Sequence, residues 1–253
     1  MTELNVDQLC VRVGATSLVD QVSFEVKGGQ FAVLLGPNGA GKTSLLRAIM
    51  GAIPAYSGSV HIDGRDVATL DRLARARHLS YLPQQRSLAW PLPVREVVAL
   101  GRYCHGLRGN TPSPDDERAI QRALEAADLS ALAQRATNTL SGGELARVHC
   151  ARALCAEAPL LIADEPTAAL DLRHAFSMMD VLREFTNRGG AVLVVLHDLV
   201  LAARYATHLY WMRDGHLVAQ GTVDETLTEA RCAEVYGIRA RIEGRSLTID
   251  GPL

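Results

Sequence analysis

Apolar and polar residues alternate through positions 4–35, as in Val22, Phe24 and Val26, and the stretch closes in the unbroken apolar run Phe31 to Leu35. A period of two predicts strands with one buried face; the continuous run predicts a strand buried on both faces. The period then lengthens. Leu45, Leu46 and Ile49 recur at helical spacing within Lys42 to Met50, and Gly51 ends that helix. Ser59 to Ile62, followed by the turn pair Asp63-Gly64, reads as an antiparallel strand, and Leu79 to Leu82 as a short strand stopped by Pro83.

Helical pattern dominates from Arg86 to Thr139. Ser113 is placed to cap a helix with Pro114 in its first position and Asp115, Asp116 and Glu117 in its first turn, ahead of Ile120, Leu124 and Ala127. Two further buried strands follow, Leu160 to Ala163 and Ala191 to Leu196, each running into acidic residues or His, and Asp214-Gly215 marks a hairpin. The order implies one α/β domain over residues 1–253. Its core, 1–85 and 157–225, includes an antiparallel β subdomain and is interrupted by a helical insert subdomain, 86–156. A weakly patterned tail covers 226–253.

With 48% hydrophobic and 21% charged residues the chain has a globular composition. A net charge of −2 offers no global field for polyanions, which disfavours a general nucleic-acid binder and leaves room for a local phosphate site. The longest apolar runs fall far short of the roughly 18 residues that span a bilayer, and MTELNVDQLC has no basic start followed by an apolar stretch; cytoplasmic residence is the expectation. Five cysteines (Cys10, Cys104, Cys150, Cys155, Cys232), odd in number and without a C-x-x-C pair, suit reduced buried thiols. Among 26 basic residues only Lys27 and Lys42 are lysines.

Lys42 lies in Gly36-Pro37-Asn38-Gly39-Ala40-Gly41-Lys42-Thr43, which fits G-x-x-x-x-G-K-[ST] between a buried strand and a helix, with Ser44 next in line. Glycines let backbone N–H groups wrap phosphate oxygens at a helix N-terminus; Lys42 would reach the β/γ-phosphates and Thr43 a Mg²⁺ ion. Asp164 and Glu165 put two carboxylates at the end of an apolar strand, where open α/β sheets place ligands. That suits an Asp holding Mg²⁺ and a Glu polarising the attacking water. Leu140-Ser141-Gly142-Gly143-Glu144 ahead of a helix offers a second anion site, a Ser cap with exposed amides.

GPNGAGKT, LSGGE, LIADEP, the run Ala168 to Asp171 and His197 occur in that order and together resemble the ATP-binding cassette (ABC) ATPases over about residues 2–225. The resemblance implies a P-loop NTPase (RecA-like) core with the antiparallel β and helical subdomains named above. It implies two copies head to tail, with ATP between the phosphate loop of one and Ser141, Gly142 and Gly143 of the other. It makes Gln84, with Gln85 beside it as an alternative, the residue that contacts Mg²⁺ and the water. Asp171 becomes the D-loop aspartate and His197 the γ-phosphate switch. The implied catalytic set is therefore Glu165, His197, Gln84 and Lys42, with Thr43, Gln84 and Asp164 on Mg²⁺. One departure stands out: Val11-Arg12-Val13-Gly14 has no aromatic to stack on adenine, which leaves Arg12 or Val13.

A cassette without a membrane span implies a separate permease, a substrate-binding protein outside the membrane, and residence on the cytoplasmic face of the inner membrane. Val98 to His105 and His197 to Tyr205 resemble the cassettes of ferric-siderophore, haem and cobalamin importers, with ferric siderophore as the first expectation. Ser87-Leu88-Ala89-Trp90-Pro91 is expected to help receive the permease's coupling helix, against Trp90 as plain core. A non-hydrolysing, nucleotide-gated binding module is the competing class; it predicts loss of Glu165 or His197, and both are present.

Overall fold

The alternating N-terminal segment folds as two antiparallel strands, β1 (Glu3–Val13) and β2 (Thr16–Lys27), in a computed structural model that describes residues 2–84, 90–107, 111–168 and 170–253. Val22, Phe24 and Val26 are buried, as the period of two requires. The apolar run is β3 (Phe31–Leu35), buried at every position. After it come α1 (Lys42–Ile49), β4 (Ser57–Ile62) and β5 (Arg65–Asp66), the last two completing an antiparallel sheet in the order β2-β1-β4-β5. These elements belong to a first unit, made of the chain up to Leu70 and Thr186–Leu253; Asp71–Phe185 forms a second.

The second unit carries α2 (Arg72–His78), β6 (Leu79–Leu82), α3 (Val94–Ala99), α4 (Pro114–Ala126), α5 (Gly142–Cys155), β7 (Leu160–Asp164) and the start of α6 (Leu172–Asn187). β6 and β7 pair in parallel, from Leu79↔Leu160 to Leu82↔Ala163. Val97 and Val98 of α3, Ile120 and Leu124 of α4 and Val148 of α5 close a common apolar core. Ser113 caps α4 as expected, and Asp116 completes a capping box. Arg102 lies buried beneath these helices, its guanidinium 2.8 Å from both Asp116 and Glu157. Burial alone would lower its pKa, but these partners outweigh it and raise it. The Arg102 and Ser113 hydrogen bonds in turn hold the Asp116 carboxyl below the usual aspartate range.

In the first unit, β8 (Ala191–Val195) and β9 (His208–Arg213) flank β3, both parallel to it, with α7 (Leu199–Tyr205) between them in sequence. β10 (His216–Thr222) returns antiparallel to β9 through Asp214-Gly215, where both residues have positive φ as a type I′ turn demands. The weakly patterned tail is ordered: α8 (Val223–Thr226), α9 (Glu229–Tyr236) and a hairpin of β11 (Ile238–Glu243) and β12 (Ser246–Pro252). Elements this short give a hydrophobic period no length to declare itself. All five cysteines are free and buried, and burial pushes the Cys155 thiol up to about 12. Among the described residues no helix is long and apolar enough to cross a membrane.

Candidate nucleotide site

β3 ends at Leu35 and hands the chain to Gly36, the first residue of the phosphate loop. Gly36 has φ 153°, and a β-carbon there would lie 2.3 Å from the Met212 carbonyl oxygen of β9. Gly41, the residue before α1, has φ 96°, and a β-carbon would meet Leu18 O at 2.2 Å. Any side chain at either position collides with neighbouring backbone, so the glycines are dictated by close packing as well as by torsion. The loop is braced further by Ala40 N–H donating to Pro37 O and Gly215 N–H donating to Ala40 O, both at 3.2 Å. No side chain caps α1, and Gly41 precedes it in left-handed conformation. The start of an uncapped helix is suited to receive an anion.

Lys42 is 94% buried, and its ammonium donates to Gly36 O at 2.6 Å and Pro37 O at 2.8 Å. The ammonium is thus held inside the loop by the backbone it would share with a phosphate. Thr43, Asn38 and Gly39 are exposed, Pro37 and Ser44 half-buried and Ala40 buried. His197, exposed, follows the end of β8. Leu196 N–H donates to Leu34 O at 3.3 Å, so His197 and the phosphate loop issue from the same ends of neighbouring parallel strands. Arg12 sits over the Tyr56 ring, 4.1 Å from its centroid, within the range of a cation–π contact. Tyr56 is 64% exposed, and its N–H donates to Cys10 O, which places an aromatic beside the hairpin residues that lack one.

In the second unit Asp164, the last residue of β7, is 3% exposed, and Glu165 follows in left-handed conformation at φ 47°. A non-glycine residue in that region carries a steric cost, and such cost concentrates at functional positions. Gln84, two residues past β6, donates its side-chain amide to Glu165 Oε2 at 2.6 Å. Because β6 and β7 run parallel in register, their ends deliver these two side chains together. Gln85 and the segment Ser87 to Ala89 lie outside the described residues, as does Ala169 in the run before Asp171. Trp90 is described and is 74% exposed, so it is not a core residue.

Ser141 caps α5, and Ser141 and Glu144 close a reciprocal capping box: the Glu144 carboxylate accepts from Ser141 N–H at 2.7 Å, and Ser141 Oγ accepts from Glu144 N–H at 3.3 Å. The backbone and side-chain bonds from Ser141 hold the Glu144 carboxyl below the usual glutamate range. Gly142 has open space where a β-carbon would go. At Gly143 the same atom would lie 2.6 Å from the His174 ring. That ring is tied at Nδ1 to Asp171 Oδ1 at 2.8 Å, and the His174 N–H donates to the same oxygen at 2.9 Å. The backbone bond foremost, then the ring bond, lowers the Asp171 pKa. Asp171 and the glycine pair are thus linked through His174, a residue that no sequence motif singled out. Tyr56 and Tyr236, whose hydroxyl accepts the Gly36 N–H at 2.8 Å, were equally hidden. All three owe their place to contacts distant in sequence or to side-chain direction, which carry no local pattern.

The ABC transporter family model matches residues 19–168. The hemin import ATP-binding protein HmuV of Streptomyces coelicolor is 42% identical over 228 residues, covering 90% of this chain and 81% of that protein. The HmuV protein of Pseudomonas entomophila is 40% identical over 245 residues, 95% of this chain and 94% of that one. Among solved structures, the ATP-binding cassette MJ0796, a dimer in a post-hydrolysis state bound to ADP and Pi, superposes with a TM-score of 0.75 at 27% identity, covering 87% of this chain and 98% of its own.

Proposed function

Since the chain belongs to the ABC transporter family, as an ATP-binding, ATP-hydrolysing subunit of an importer, we propose that its cargo is haem and that hydrolysis is carried by the residues described above. The hemin-import relatives carry the cargo reading; they favour haem over the ferric siderophore expected first, and over cobalamin. Deleting the gene in a cell fed iron only as haem should abolish growth, while growth on ferric siderophores continues. The opposite pattern would replace the cargo and leave the ATPase standing.

Residues Gly36 to Ser44 hold the ATP phosphates, with amides at the start of α1 and the Lys42 ammonium offsetting their charge. The donor set of Thr43 hydroxyl, Asp164 carboxylate and Gln84 amide is all oxygen, which fits Mg²⁺, a hard cation that needs only one or two side chains beside substrate phosphates. Bound there, it would offset charge developing on the β- and γ-phosphate oxygens. Water attacks the γ-phosphorus in line and ADP leaves, while Glu165 orients that water and takes its proton. The Gln84 bond fixes the rotation of the Glu165 carboxylate. His197 contacts the γ-phosphate, and Arg12, seated on Tyr56, covers the adenine.

The second half of each site comes from a second copy, whose Ser141, Gly142 and Gly143 meet the γ-phosphate and whose Asp171 lies at the contact. Permease subunits dock on the helical unit, where a groove of about 470 Å³ is lined by Leu92, Arg95, Glu96, Tyr103, Glu117 and Ile120, with Leu92 two residues after exposed Trp90. The chain then works on the cytoplasmic face of the inner membrane, served by an external substrate-binding protein. Replacing Trp90 with Ala should lower permease-stimulated hydrolysis without changing the rate of the isolated chain.

A further inference from the structure

The segment after Thr222 contains none of the motifs that bind or hydrolyse nucleotide, yet it reaches the phosphate loop. α9 ends at Tyr236, with Gly237 in the left-handed cap position at φ 66°. The Tyr236 hydroxyl accepts the Gly36 N–H at 2.8 Å, across 200 residues of sequence. At the other end of the same residue, Gly36 O accepts from the Lys42 ammonium at 2.6 Å. A single buried glycine therefore carries a phenol on its N–H and the phosphate-binding ammonium on its carbonyl.

Gly36 is the residue least able to hold itself. It has the widest torsional freedom of any residue type, and the Met212 backbone leaves no room for a side chain that would narrow it. Its N–H is buried at the strand-to-loop junction, where an unmade hydrogen bond is costly. The phenol, by contrast, is well seated: its ring meets the buried Trp211 ring edge-on, with centroids 6.3 Å apart. Burial pushes its pKa up to about 12, so at neutral pH it stays a hydroxyl.

We propose that Tyr236 is a positioning residue for the phosphate loop: its hydroxyl fixes Gly36 and, through the Gly36 carbonyl, the location of the Lys42 ammonium. The proposal rests on the assignment of Gly36 to Ser44 as the ATP-phosphate site. Without the hydroxyl, Gly36 swings toward another acceptor, its carbonyl swings with it, and the ammonium loses a fixed anchor. The cost falls on ATP binding, because the groups that act on water are elsewhere.

Tyr236→Phe keeps the ring against Trp211 and removes only the hydroxyl; a single cooperative melt lowered by no more than a few degrees confirms the fold. The expected result is a KM for ATP raised roughly three- to tenfold, kcat within about twofold of the parent, and Gly36 amide exchange faster by roughly the same three- to tenfold. Exchange is read in the nucleotide-free full chain, so it stands even if turnover is too slow to measure. Lys42→Ala separates the two assignments. If that variant binds ATP as well as the parent, the phosphate-loop assignment fails. If it loses ATP while Tyr236→Phe matches the parent in KM and in Gly36 exchange, the role of Tyr236 alone is overturned. A fall in kcat with KM unchanged overturns it too.

Discussion

Gln84 donates to Glu165 at 2.6 Å, joining the end of β6 to a left-handed residue 81 positions later. The bond holds one carboxylate oxygen, so the group's orientation is set before any water arrives. Replacing Glu165 with Gln keeps the shape and removes the proposed proton acceptor. Turnover should fall by about 10²–10⁴-fold with ATP affinity retained, followed by phosphate release beside equilibrium nucleotide binding. Gln84→Ala leaves the carboxylate in place without this bond, and a smaller loss, about tenfold, is expected. Wild-type turnover in Glu165→Gln would remove Glu165 from its role.

Gly143 faces the His174 ring so closely that a methyl group there must displace it. The ring resists, because Asp171 holds its Nδ1. Gly143→Ala should therefore cost about tenfold in ATPase rate, and His174→Ala in the same chain should restore part of it. A double variant no better than Gly143→Ala alone would show that the methyl acts on something other than His174.

The two lysines make a matched pair. Lys27 is exposed and lies 3.3 Å from Glu25, a surface ion pair that arginine maintains. Lys42 is enclosed by the carbonyls of Gly36 and Pro37, where a compact ammonium fits and a planar guanidinium does not. Hydrolysis should vanish in Lys42→Arg and persist in Lys27→Arg, with stability of the latter within about 0.5 kcal/mol of the parent. Equal rates for the two variants would count against the enclosure argument.

Acid should act on the helical unit through Asp116. Its pKa is depressed in the folded chain, first by the Arg102 bond. Stability from the pair is therefore complete above the ordinary aspartate value near 3.9 and is lost as pH falls through the lower folded value. Asp116→Asn should cost about 1.5 kcal/mol at neutral pH, since Glu157 still pairs Arg102, and flatten the loss of stability below about pH 4. Urea unfolding at pH 7, 4 and 3 measures both; an acid slope identical to the parent's would assign the dependence to other carboxylates.

Local constraints make much of this chain legible from its sequence. The loop from Gly36 to Thr43 can be read because each glycine answers a packing or torsional demand within a few residues, and Ser113 and Ser141 because capping is decided inside one helical turn. The same locality explains what stayed hidden. Tyr56 reaches Arg12 only through the register of β1 on β4. Tyr236 reaches Gly36 only once a short helix has packed beside β9. Trp90 shows the converse: an indole is as readily core as surface by composition, and only the fold places it outside.

The five buried thiols make the chain a ready host for a spectroscopic probe. None is exposed, and burial raises the pKa of Cys104, Cys155 and Cys232, which suppresses the thiolate that alkylating dyes attack. A single cysteine introduced on the surface would therefore take up a maleimide fluorophore ahead of the native five. No background-free variant need be built first, so distance changes during the ATP cycle can be followed in a molecule that keeps its native interior.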